Sequence, residues 1–138
     1  MRATGTFTVK SFVPADVVVP QEVTTAVPTG VATIEKHFEG EITGRSTTLF
    51  TAAYDQTSGI GTYVAMESFE GTVGGRSGTF NFAHAATTAG EGDTSRLGEY
   101  FTIVPASSTG ELSGITGGGG LAIDADGTHR IWFEYEIG

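Results

Sequence analysis

The chain has 138 residues, 21 Gly, 22 Thr, no Cys and a net charge of −9, a length that fits a single domain spanning 1–138. Seven Lys plus Arg against 16 Asp plus Glu deny a nucleic acid the positive face it needs and disfavour an anionic membrane surface. The absence of Cys removes disulfides, thiolate metal sites and cysteine nucleophiles together.

At 38% hydrophobic residues and a mean hydropathy of +0.01 the chain can form a packed core. Four Leu and two Lys beside abundant Thr and Gly argue against helices and for short strands joined by tight turns. No run approaches the roughly 18 apolar residues of a membrane span. The opening Met1–Thr6 has no apolar h-region. A cytoplasmic protein is therefore the expectation.

The dominant period is two. The first strand runs from Thr4 to Phe12, with Phe7 and Val9 alternating with Thr6, Thr8 and Lys10. From Val31 to Thr43, Ile34, Phe38 and Ile42 oppose Glu35, His37, Glu39 and Glu41, giving one apolar and one acidic face. A third strand, Ser46 to Tyr54, puts Phe50, Ala52 and Tyr54 on one parity, and a fourth covers Gly61 to Phe69. The fifth, Ser77 to Ala86, aligns Phe80, Phe82 and His84. A sixth, Arg96 to Val104, places Leu97, Phe101 and Ile103 in phase. Gly119 to Asp124 makes a short seventh, and His129 to Ile137 sets Ile131, Phe133, Tyr135 and Ile137 against Arg130, Trp132, Glu134 and Glu136.

Turn signals separate these runs: Asp55–Gly59, Gly74-Gly75, Ala89–Gly92 and Asp126-Gly127. Two segments break the rhythm. Residues 13–30 hold three of the four prolines and Val17–Val19, and read as a long crossover loop at a barrel mouth. Residues 105–120 hold Leu112 and Ile115 as anchors and end in four glycines, which mark a bulge or close backbone packing. Eight antiparallel strands of this spacing predict an all-β barrel or sandwich; a closed eight-stranded barrel leaves room for side chains or one small ligand.

The run Phe69-Glu70-Gly71-Thr72-Val73-Gly74-Gly75-Arg76-Ser77-Gly78-Thr79-Phe80 with His84 resembles a bacterial family, domain of unknown function 3224. So do Val104-Pro105, Ser108 to Gly114, the ending His129 to Ile137 and the opening Ala3 to Phe7. The resemblance covers nearly the whole chain. Phe12 stands where a tryptophan is expected, and residues 13–30 depart from the pattern. What the resemblance implies is a barrel like that of allene oxide cyclases, eight antiparallel strands around a central cavity. Related barrels act as cofactor-free cyclases or isomerases on hydrophobic substrates. No cyclase motif transfers residue by residue.

Four ionisable residues fall in apolar phase: Lys36, Glu67, His84 and Glu99. His84 shares parity with Phe80 and Phe82, so it is either a proton-handling group in a cavity or a bonded core histidine. Glu67 follows Tyr63 and Ala65 in phase; pointing inward, it needs a partner such as His84. The opposite parity, Val64 and Met66, is the other candidate inner set and would leave Glu67 in water. Lys36 either counters Glu67, attracts an anion or snorkels to the barrel end; Glu99 sits similarly between Leu97 and Phe101. Tyr63, Tyr135 and His129 add polar tips to a pocket lined by Phe80, Phe82, Phe101 and Phe133. Trp132 is expected to point outward, either toward a homo-oligomer interface or under the 13–30 segment.

No cofactor or metal is expected: the three histidines lie on different strands, and Asp124–Gly127 reads as a hairpin turn rather than a calcium loop. The favoured reading is a small-molecule-binding barrel with a hydrophobic cavity. The runner-up is a cofactor-free cyclase or isomerase using His84 and Glu67 as catalytic groups. The third is a packed barrel serving as an oligomeric interaction module.

Overall fold

Period-two patterning yields nine strands and no helix in the computed structural model, which describes residues 1–138. They are β1 (Arg2–Ala15), β2 (Thr29–Gly40), β3 (Ile42–Asp55), β4 (Ile60–Val73), β5 (Arg76–Thr88), β6 (Arg96–Ile103), β7 (Thr109–Gly110), β8 (Ile115–Ile123) and β9 (His129–Ile137). All pairings are antiparallel, in the order β6-β5-β4-β3-β2-β1-β9-β8, with β7 pairing β5. The two ends of this sheet, β6 and β8, pack against each other, so the sheet is nearly closed into a barrel. The expected all-β barrel is the fold observed, and no helix is long and apolar enough to cross a membrane.

The glycine run closes the seam. A Cβ on Gly118 would stand 3.1 Å from the Phe101 carbonyl oxygen, and one on Gly119 would stand 3.0 Å from the Phe101 ring. Only a strand without side chains there lets β8 lie so close to β6. On the outer side, the Trp132 ring covers Gly120, and the Arg2 guanidinium lies 5.5 Å from that ring.

Several boundaries differ from the sequence reading. The run from Val31 to Thr43 is two strands, because Gly40 (φ +106) turns the chain at Glu41. β1 continues past Phe12 to Ala15 and pairs with β2 in register Pro14↔Ala32. Proline is tolerated there because β9 pairs only Arg2–Phe7 of β1, leaving the rest of β1 with one open edge. The irregular segment is therefore 16–28, and it joins two adjacent antiparallel strands. A bulge at Lys10 shifts the phase of β1, so the inner parity passes from Phe7 and Val9, opposite Phe38 and Lys36, to Phe12, opposite Ile34.

The core fills one half of the barrel. Phe38, Ile42, Phe69, Val73, Phe80, Phe82, Ile103, Ile131, Phe133 and Tyr135 are buried together, and Leu112 and Ile115 pin the 105–120 segment to them. Rings meet edge-on or tilted, as in Phe80–Phe133 at 5.4 Å and Phe69–Phe80 at 5.2 Å. Each fully buried Phe contributes roughly 1.5–3 kcal/mol by removal from water.

The other half stays hollow. β1 through β5 extend beyond the end of β9, and their inner positions carry Phe12, Pro14, Ala32, Phe50, Ala52, Tyr54 and Tyr63 around open space of about 570 Å³.

Candidate functional site

Where the packed half gives way to the hollow half, the inner face turns polar. β4 aims Glu67 inward; it is 0% exposed, whereas its neighbour Met66 is 45% exposed on the outer face. The parity left open by the sequence is settled by Phe69, which continues the same inner row into the core. A carboxylate there must be partnered, because burial of an unpaired charge is prohibitive.

Three elements supply the partners. Lys36 of β2 donates from Nζ to Glu67 Oε1 at 3.0 Å. His84 of β5 lies with Nε2 2.9 Å from the same oxygen. Ser46 of β3 donates from Oγ to Oε2 at 2.5 Å. Burial by itself pushes the Glu67 carboxyl up, but the His84 hydrogen bond, the Lys36 charge and the Ser46 hydroxyl outweigh it and hold the group at about 2. Burial also pushes the His84 imidazole below its ordinary value, and the Lys36 charge adds to that, against the opposing pull of Glu67.

A neutral His84 fixes the direction of every bond. Nε2 carries the proton and donates to Glu67; Nδ1 accepts from the Tyr63 hydroxyl at 2.7 Å. Tyr63 Oη in turn accepts from Arg96 Nη2, and Arg96 Nε donates to Glu99 Oε2 at 2.6 Å. Burial raises the Tyr63 phenol above its usual value, and Arg96 opposes that. The result is one continuous chain from the core to the rim: Ser46, Glu67, His84, Tyr63, Arg96, Glu99. With Lys36, which joins it at Glu67, the chain holds four charges that cancel in two pairs, Lys36 with Glu67 and Arg96 with Glu99.

Above this chain is a chamber of about 160 Å³, walled by Phe7, Ile34, Phe50, Leu121 and Ile123, with Lys36, Thr48, Tyr63, His84, Arg96 and His129 as its polar members. Phe50 and Tyr63 also line the 570 Å³ gallery, so the two spaces meet at those rings. Tyr63 stacks on Phe50 at 5.4 Å and stands at the junction.

The expected site residues thus divide. Lys36, Glu67, His84, Tyr63 and Glu99 come together in one network. Phe80, Phe82, Phe133 and Tyr135, expected along a ligand cavity, instead fill the packed half. Phe101 bridges the two, stacked on Phe82 at 5.2 Å and on His84 at 5.8 Å. His129 stacks on Phe7 at 5.0 Å at the chamber wall, and His37 is exposed beside Glu35.

Ser46, Thr48 and Arg96 were not singled out by the sequence. Ser46 and Thr48 share parity with Phe50 and Ala52, and that parity was the available signal. Arg96 had none. β6 carries a bulge with Gly98 at φ +60, which pairs Arg96 with Thr88 on the inner row and leaves Leu97 exposed.

The fold and site define a class: an antiparallel barrel, packed at one end and hollow at the other, with a buried charge-balanced network as the floor between. Residues 3–135 match a family described as protein of unknown function, DUF3224, and the chain belongs to it. The crystal structure, at 1.84 Å resolution, of a protein with unknown function from the DUF3224 family of Shewanella oneidensis MR-1 is similar, with a TM-score of 0.83 and 29% identity, covering 100% of this chain and 97% of that one. No curated protein matches the chain.

Proposed function

We propose that the chain is a small-molecule-binding barrel whose hollow half takes a hydrophobic molecule. The observation that carries this reading is the apolar gallery lying next to the polar chamber, with Phe50 and Tyr63 lining both. Apolar walls with a few convergent polar groups are the usual composition of a ligand site. Phe12 and Tyr54 at the gallery are about half exposed, and a bound apolar molecule would remove them from water. The test is titration with Nile red, a neutral apolar dye. Wild-type protein enhances its emission. Ala52→Trp, which fills the gallery wall, abolishes the enhancement while leaving the thermal midpoint within a few degrees. Equal enhancement by both proteins overturns the reading.

A second reading, cofactor-free isomerisation or cyclisation, is favoured by the Tyr63–His84–Glu67 alignment. Tyr63 Oη can take a proton from a bound molecule while passing its own to His84 Nδ1, and Glu67 holds the resulting imidazolium through Nε2–H. Return of that proton to a different atom of the same molecule completes an isomerisation with no co-reactant. A bound methyl ketone such as 2-acetylnaphthalene reports this step as exchange of its α-protons in D2O. Exchange above the buffer rate that is lost in Tyr63→Phe supports the reading, and exchange equal in the two proteins removes it.

A further inference from the structure

The chamber above the network has a hydrogen-bonding imbalance. Thr48 Oγ1 is buried without any partner, on a residue 2% exposed that lines the chamber. Unpaired buried hydroxyls are rare in folded proteins, and each calls for an explanation. Lys36, also lining the chamber and 6% exposed, makes one hydrogen bond, to Glu67, with an ammonium that carries three donors. Its Nζ also lies 4.7 Å from the Phe7 ring, leaving donor capacity toward the chamber.

The acceptors of the network are already engaged. Glu67 Oε1 receives Lys36 and His84, and Oε2 receives Ser46. His84 Nδ1 receives Tyr63, and Tyr63 Oη receives Arg96. The chamber therefore offers hydrogen-bond donors and asks for an acceptor. Charge narrows the choice further. Lys36 is balanced by Glu67 and Arg96 by Glu99, so an incoming anion would find no uncompensated cation in the network and would lose its hydration.

We propose that Lys36 and Thr48 form a seat for the carbonyl oxygen of a neutral ketone or aldehyde, whose apolar body runs past Phe50 and Tyr63 into the gallery. This rests on the reading that the hollow half binds a hydrophobic molecule, and it names the chemical class of that molecule. Thr48 donates its free O–H and Lys36 a spare N–H. A carbonyl held between such donors in a dry chamber is polarised, which stabilises negative charge developing on its oxygen.

The experiment is calorimetric titration of the whole chain with three probes of one shape: 2-acetylnaphthalene, 2-ethylnaphthalene and 2-naphthoate. The ketone binds about tenfold tighter than the hydrocarbon, the difference expected of one to two hydrogen bonds. Thr48→Val, close to isosteric, cuts that preference several-fold, leaves hydrocarbon affinity unchanged and does not lower the thermal midpoint. Thr48→Ser restores the preference. Ketone and hydrocarbon binding alike, or a preference untouched in Thr48→Val, overturns the seat while leaving the cavity reading intact. Tightest binding by the naphthoate overturns the neutral-ligand claim. Failure of all three probes to bind overturns the cavity reading and this inference with it.

Discussion

His84 Nε2 stands 2.9 Å from Glu67 Oε1, the same oxygen that Lys36 Nζ approaches at 3.0 Å. Two donors converge on one carboxylate oxygen because β2 and β5 approach β4 by different routes. His84 is two residues along from Phe82, the ladder partner of Glu67 on β5, while Lys36 reaches across from β2, two strands away. Removal of either donor leaves the carboxylate partly satisfied, so their contributions are coupled rather than additive.

Glu67→Gln keeps the shape and removes the charge. Lys36 then loses its carboxylate partner in a buried position, and the expected loss is about 3–5 kcal/mol. The double variant Lys36→Met with Glu67→Gln leaves no orphaned charge and recovers a large part of it. Urea unfolding of wild type, both singles and the double gives the cycle. A double variant as unstable as the sum of its singles rules out the coupling.

Acid weakens the fold in two stages. The His84 imidazole is held below its ordinary 6.5, so the unfolded chain takes up this proton first and stability falls as pH drops through that value. Glu67 is held at about 2 against an ordinary 4.5, and its contribution, about 3 kcal/mol from the 1.36 kcal/mol per unit, is present above 4.5 and lost between 4.5 and 2. Both effects have the same sign. Thermal midpoints from pH 8 to pH 3 check this, with Glu67→Gln expected to flatten the lower stage only. A midpoint that rises on acidification contradicts the assignment.

Glu67 and His84 were visible in the sequence because strand parity carries them: each continues a row of apolar residues at i±2. Lys36 was visible for the same reason, between Ile34 and Phe38. The barrel was visible in the spacing of turns and strands. The division of that barrel into packed and hollow halves was not, because Phe80, Phe82 and Phe133 on one side and Phe50 on the other share the same pattern. What separates them is strand length beyond β9, set by pairing partners far along the chain. Arg96 was hidden for a local reason, a one-residue bulge that reverses parity.

The Gly98 bulge is what delivers Arg96 to Tyr63. Gly98 is the extra residue of that bulge, so its deletion keeps Arg96 opposite Thr88 on the inner row and leaves the Tyr63 titration unmoved. Arg96→Met leaves the backbone alone and removes the charge; the Tyr63 phenol, raised by burial and pulled down by Arg96, then titrates higher still. Carbon-13 spectra of ring-labelled tyrosine, assigned by comparison with Tyr63→Phe, follow that group through alkaline pH. A Tyr63 titration unchanged in Arg96→Met removes Arg96 from the network.

Gly119→Ala tests the barrel seam. Its Cβ would stand 2.1 Å from the Trp132 carbonyl oxygen and 3.0 Å from the Phe101 ring, so the β8 backbone must shift away from both neighbours. Overpacking of this kind costs about 1–3 kcal/mol. Because β6 and β8 share no hydrogen-bonded ladder, the loss falls on their packing, and Phe101 is also the ring that stacks on His84. Amide exchange is expected to quicken in β6 and β8 while β3 and β4 keep their protection. In Gly75→Ala, at a turn position with nothing within 4 Å, any loss comes from the positive φ (+84) and exchange in β6 and β8 is unaffected. If the two alanine variants quicken exchange in the same strands, the glycine run is not what lets the barrel close.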